Sequence, residues 1–93
     1  MSYTIRYYDE AIKEMEKGIT KAESVDDLLK YAFTAIEKLT LITYSEFSTE
    51  EERTDANAAN FAVRWVSVVA ARMTREESFD RAKLLELFRK ECE

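Results

Sequence analysis

Apolar residues recur along this chain at spacings of three and four, with no run of clean alternation. That pattern belongs to amphipathic helices and not to strands. Over residues 4–22, Ile5, Tyr8, Ile12, Met15, Ile19 and Ala22 form a heptad seam on an otherwise charged segment. So narrow a seam suits a helix on the outside of a bundle. Gly18 is expected to weaken this helix near its end without stopping it. "AESVDD" interrupts the pattern, and Ser24, with Asp26 and Asp27 behind it, reads as the N-cap of a second helix over about residues 25–44. The core face expected there is Val25, Leu28, Leu29, Ala32, Phe33, Ile36, Leu39, Thr40 and Thr43, widened by Tyr31, Ala35 and Ile42.

"FSTEEERTD" is the clearest boundary. Ser48 with Glu51 fits a capping box, so a third helix is expected to start there and run to about Met73. Thr74 with Glu77 repeats the motif, and a fourth helix is expected from about residue 75 or 79 to 91, with Phe79, Ala82, Leu84, Leu85, Leu87 and Phe88 inward. The fold class expected is all-α: an antiparallel bundle of four helices, or three long and one short, in a single domain over residues 1–93.

From 58 to 73 the third helix is apolar except at Asn60, Arg64, Ser67 and Arg72, and a wheel at 100° per residue resolves it into three strips. Ala59, Ala62, Val66, Val69, Ala70 and Met73 form the centre of a buried face. Arg53, Asn57, Asn60, Arg64, Ser67, Ala71 and Arg75 form a narrow polar stripe, expected to face solvent. Between the two runs a flank of Phe61, Trp65, Val68 and Arg72 at spacings of four, three and four. Helix one or helix four could cover that flank. The alternative expectation is that another chain completes it, an identical subunit first of all, because Trp and Arg among aromatic and aliphatic neighbours is the composition of interface hot spots.

Composition narrows the picture. The 93 residues hold 46% apolar and 35% charged residues, with one Gly and no Pro. This suits one small globular unit burying roughly 60–65% of its unfolded surface. Net charge is −5, and most of it falls on "SEFSTEEERTDA". Carboxylates in the first turns of a helix complement its dipole, which accounts for the cluster without an acidic docking role. No basic stripe suggests direct nucleic-acid binding. Cys92 stands alone, which excludes an intramolecular disulfide, and reads as a mobile free thiol. With no apolar leader at the N-terminus and no run long enough for a membrane span, a cytoplasmic location is expected.

The residue inventory also limits the chemistry. The chain has no His, which removes His-based acid–base catalysis, hydrolase triads and His-containing metal sites. One Gly makes neither a P-loop nor a dinucleotide fingerprint. The enzymatic class left open is a Mg²⁺-dependent nucleotide hydrolase, which needs paired acids one turn apart on facing helices. E-x-x-D occurs at Glu23/Asp26, Glu52/Asp55 and Glu77/Asp80, each beside a helix start where capping explains it, and E-x-x-E does not occur. No cofactor or metal is implied. Tyr3 and Tyr7, with Arg64, are the candidate residues for a small ligand such as a signalling nucleotide, through stacking and a cation. The first expectation is a non-enzymatic protein-interaction module, either a homo-oligomer or an accessory or inhibitory protein of the phage type. A ligand-binding helical protein is the alternative.

Overall fold

A computed structural model describes residues 3–76 and 79–92; the side chains of residues 3–5 and 74–76 also lie outside what is described. The described residues form four helices and no strand: α1 (Tyr3–Lys21), α2 (Val25–Tyr44), α3 (Glu50–Glu76) and α4 (Arg81–Cys92). The expected all-α bundle is the observed architecture. The helix starts follow local capping chemistry. Ser24 accepts from Asp27 N at 3.1 Å and caps α2. Asp80 accepts from Lys83 N at 3.0 Å and caps α4.

The cap of α3 falls one residue later than Ser48. Thr49 Oγ1 accepts from Glu52 N at 3.1 Å, and Glu52 Oε1 accepts from Thr49 N at 2.7 Å. This is a complete reciprocal box. Ser48 turns inward instead and donates to Ile42 O at 2.7 Å, closing the end of α2. The expected Thr74/Glu77 box lies outside the described residues at Glu77. Thr74 itself belongs to α3, which runs past Met73 to Glu76.

Three sets of contacts show that neighbouring helices run antiparallel. Lys38 Nζ donates to Glu10 at 3.0 Å, while Gly18 lies against Tyr31, so α2 descends along α1. Thr43 meets Asn57 and Arg53 meets Ser45 O, so α3 runs back along α2. Arg81 donates to the carbonyls of Ile19 and Thr20, while Arg89 pairs with Glu16, so α4 runs back along α1. The Arg81 contacts satisfy carbonyls at the end of α1 that have no partner within the helix.

The core between these helices is Ala11, Met15, Ile19 and Ala22 of α1 and its end; Leu28, Ala32, Ala35, Leu39 and Ile42 of α2; Ala56, Ala59, Ala62, Val63, Val66 and Ala70 of α3; and Leu84 and Phe88 of α4. Three expectations change. Ala11 and Gly18 are buried beside the seam, so α1 packs over a wider face than the seam alone marks. On α2 the buried face is rotated toward Ala35 and Ile42, and Phe33 is 64% exposed. On α4, Ala82 is exposed, while Leu85 and Leu87 are half-buried.

Candidate protein-interaction surface

Helix α3 spans most of the molecule. Its 27 residues at 1.5 Å per residue come to roughly 40 Å, and the longest dimension is 44 Å. Which of its strips remain open is therefore a question about the whole long side of the bundle.

The polar stripe does not face solvent throughout. Ser67 is buried and donates to Val63 O at 2.8 Å. Arg53 is half-buried and donates to Ser45 O at 2.8 Å. Asn60 is half-buried, with its Oδ1 buried and without a hydrogen-bond partner. Asn57, exposed, takes part in a 3.2 Å contact with the Thr43 hydroxyl of α2. The stripe runs along the α2 edge and is partly covered by it. Arg64 is exposed, and Arg75 lies outside the described side chains. The physical reason is that small and hydrogen-bonding side chains can be covered while keeping partners, as Ser67 and Arg53 do; Asn60 Oδ1 is the exception. A wheel counts polarity but not partners.

The flank is what stays open. Phe61 is 60% exposed, Trp65 38% and Val68 45%, and Arg72 is exposed. Thr54 and Ala58, also exposed, continue it toward the helix start at the same spacings of four and three. Thr54, Ala58, Phe61, Trp65, Val68 and Arg72 thus form a second seam on α3, turned away from the core. Phe33 on α2 stands out level with the Trp65–Val68 turn, by the hairpin register that the Thr43–Asn57 contact sets. Apolar spacing alone places Phe33 in the core. The signal that corrects it is Ala35, whose small side chain marks the close-packed side of α2.

Charge is polarised along the same helix. Residues 50–60 hold Glu50, Glu51, Glu52 and Asp55 against Arg53, whereas residues 61–76, the rest of the helix, hold Arg64, Arg72 and Arg75 against Glu76. Among the described residues the ion pairs join Arg6 and Lys38 to Glu10, and Arg89 to Glu16; Glu50, Glu51, Arg64 and Arg72 enter none.

The residues expected to hold a small ligand lie on two helices, Tyr3 and Tyr7 on α1 and Arg64 on α3. Tyr7 lines an open cleft of about 310 Å³ with Thr40, Leu41, Tyr44 and Ser45, while Arg64 stands on the outward side of α3. Tyr3 starts α1, and its side chain is outside those described. The cation near Tyr7 is Lys38, 5.6 Å from the ring centroid. Its charge is already matched by Glu10, whose carboxyl is held below its usual range by hydrogen bonds from Lys38 and Arg6. A ligand anion would compete with that carboxylate.

Among the described residues no cluster of three or more Cys, Asp or Glu side chains is placed to hold a metal ion, and no helix is long and apolar enough to cross a membrane. Of the E-x-x-D acids, Glu52 and Asp80 are engaged in capping. No family model, curated protein or solved structure matches the chain.

Proposed function

We propose that this chain is a non-enzymatic helical interaction module whose working surface is the outward seam of α3, and that the partner this surface fits is an identical subunit. The observation that carries the reading is the row of Phe61, Trp65 and Val68, exposed on consecutive turns of the longest helix. Large apolar side chains scattered singly on a surface need no explanation, whereas a contiguous row does. The acidic and basic halves of α3 make the helix its own electrostatic complement, which favours a second copy over an unrelated chain.

The test is mass in solution across micromolar concentrations. Wild type is expected above its 10.9 kDa chain mass. Trp65→Ala is expected to weaken association by about thirtyfold, the effect of losing a hot-spot contact of about 2 kcal/mol, with helix content by circular dichroism retained. A wild type that stays monomeric throughout overturns the reading. So does a Trp65→Ala variant that unfolds, because Trp65 then belongs to the core.

A further inference from the structure

We infer that two copies pack α3 against α3, antiparallel about a two-fold axis, with Phe61 of each against Trp65 of the other and Arg72 of each beside Glu50 and Glu51 of the other. The inference rests on the reading that the outward seam binds a second copy, and it adds the direction, the register and the charged residues that fix them.

Direction follows from charge. In a parallel pair, Arg72 would face its own copy and the Glu50–Glu51 end would face another acidic end, both repulsive. In an antiparallel pair, each basic half lies along the partner's acidic half. Among the described residues, none of Glu50, Glu51 and Arg72 has an ion-pair partner within its own chain, so no such pair must break to form the contact. The helix dipole favours acids at the start of α3 and bases at its end within one chain. Two antiparallel helices turn the same asymmetry into attraction between chains.

Register follows from the seam. The exposed positions Thr54, Ala58, Phe61, Trp65, Val68 and Arg72 recur at coiled-coil spacing. When Phe61 meets the partner's Trp65, the two aromatics of each chain pack at the centre, where hot spots concentrate. Ala58 then comes level with the partner's Val68, small against branched, and Thr54 with the partner's Arg72. Glu50 and Glu51 lie on either side of the seam about one turn before Thr54, within reach of the partner's Arg72; the same register brings the partner's Arg75 level with Glu51 and the partner's Glu76 level with Glu50, so the contact there carries two bases against three acids. Two-fold symmetry makes each contact twice.

The experiment uses the full chain in three forms, with dissociation constants measured by sedimentation. Arg72→Glu sets acid against acid, and the double variant Glu50→Arg with Glu51→Arg sets base against base. Each alone is expected to weaken self-association by about tenfold or more. An equimolar mixture of the two is expected to recover wild-type affinity as a heterodimer, since each altered end then meets its opposite. Disulfide trapping in a Cys92→Ser background reads the register directly. Ala58→Cys mixed with Val68→Cys is expected to form a mixed disulfide, and Ala58→Cys alone is not expected to link to itself.

A wild-type dimer whose affinity ignores Arg72→Glu, or whose Ala58→Cys links to itself, overturns the antiparallel register and leaves the interaction reading standing. A wild type that is monomeric overturns both.

Discussion

Gly18 of α1 lies so close to Tyr31 of α2 that a Cβ added to the glycine would stand 2.5 Å from the tyrosine Cβ and 2.7 Å from its Cγ. The tyrosine Cβ is fixed by the α2 backbone, so no change of rotamer moves it aside. The glycine is what lets α1 and α2 approach at this level.

Gly18→Ala is therefore expected to destabilise the bundle even though it improves helix propensity. The propensity gain is up to about 1 kcal/mol, and overpacking costs about 1–3 kcal/mol. A net loss of up to about 2 kcal/mol should lower the melting temperature by several degrees, in line with roughly 4–8 °C per kcal/mol for a domain of this size. The loss should persist in a Tyr31→Ala background, because alanine keeps the Cβ that clashes. A thermal melt showing Gly18→Ala stabilised would refute the close-approach argument.

Asn60 offers the opposite case. Its Oδ1 is buried without a hydrogen-bond partner, a state that costs about 1–3 kcal/mol. Asn60→Ala removes the stranded acceptor and places a better helix former in mid-helix. The variant is expected to unfold at higher denaturant concentration than wild type, by about 1 kcal/mol with an unchanged slope. Destabilisation instead would mean that Asn60 has a partner, such as an ordered water.

These two sites show what the sequence could and could not carry. The number, type and extent of the helices were legible because they depend on local chemistry: apolar spacing, Ser24 before Asp26 and Asp27, and a Ser-Thr-Glu run before α3. The same local reading missed by one residue where two hydroxyls competed. Ser48 and Thr49 each have a Glu three positions on, and the choice was made by Ile42 O, a partner six residues back. The role of Gly18 was invisible because it depends on what stands opposite. The buried face of α3 falls where the wheel places it, but the partial covering of its polar stripe was invisible for a similar reason. Arg53 of that stripe reaches Ser45 O at the end of α2, and Ser67 is satisfied by Val63 O of its own helix. Hydrophobicity ranks the strips of a helix, but only the neighbours decide which one is covered.

Val66 and Arg64 test the placement of those strips. Val66 is fully buried at the middle of α3, and Arg64 is exposed. Val66→Asp strands a charge in the core at a cost of several kcal/mol against a total stability of about 5–15 kcal/mol, and is expected to abolish cooperative melting. Arg64→Ala breaks no ion pair among the described residues and is expected to remain within about 1 kcal/mol of wild type. Comparable stabilities for the two variants would contradict the observed rotation of α3.

Cys92 provides a test that depends on pH. Its place at the chain end suggests a mobile thiol, but it is half-buried in the last turn of α4. Burial, reinforced by the nearby charges of Glu16 and Glu91, pushes the thiol up from 9.0 to about 11. Because the thiolate is the reactive form, the folded protein should react with a thiol reagent at pH 8 about 100-fold more slowly than the same chain in denaturant, two pKa units corresponding to two decades in thiolate fraction. The linkage to stability has a definite sign. The folded thiol keeps its proton to higher pH than the unfolded thiol, so this contribution is intact below about pH 9 and is lost as the pH rises toward 11. The phenol of Tyr8 is also raised, first by burial and then by Cys92 and Asp55, and acts in the same direction. Stability measured by denaturant titration is thus expected to fall across this alkaline range, and Cys92→Ser should flatten part of the decline, with Tyr8 responsible for the remainder. A thiol that reacts equally fast in the folded and unfolded chains would show that the end of α4 does not shelter Cys92, and the alkaline decline should then be unchanged in Cys92→Ser.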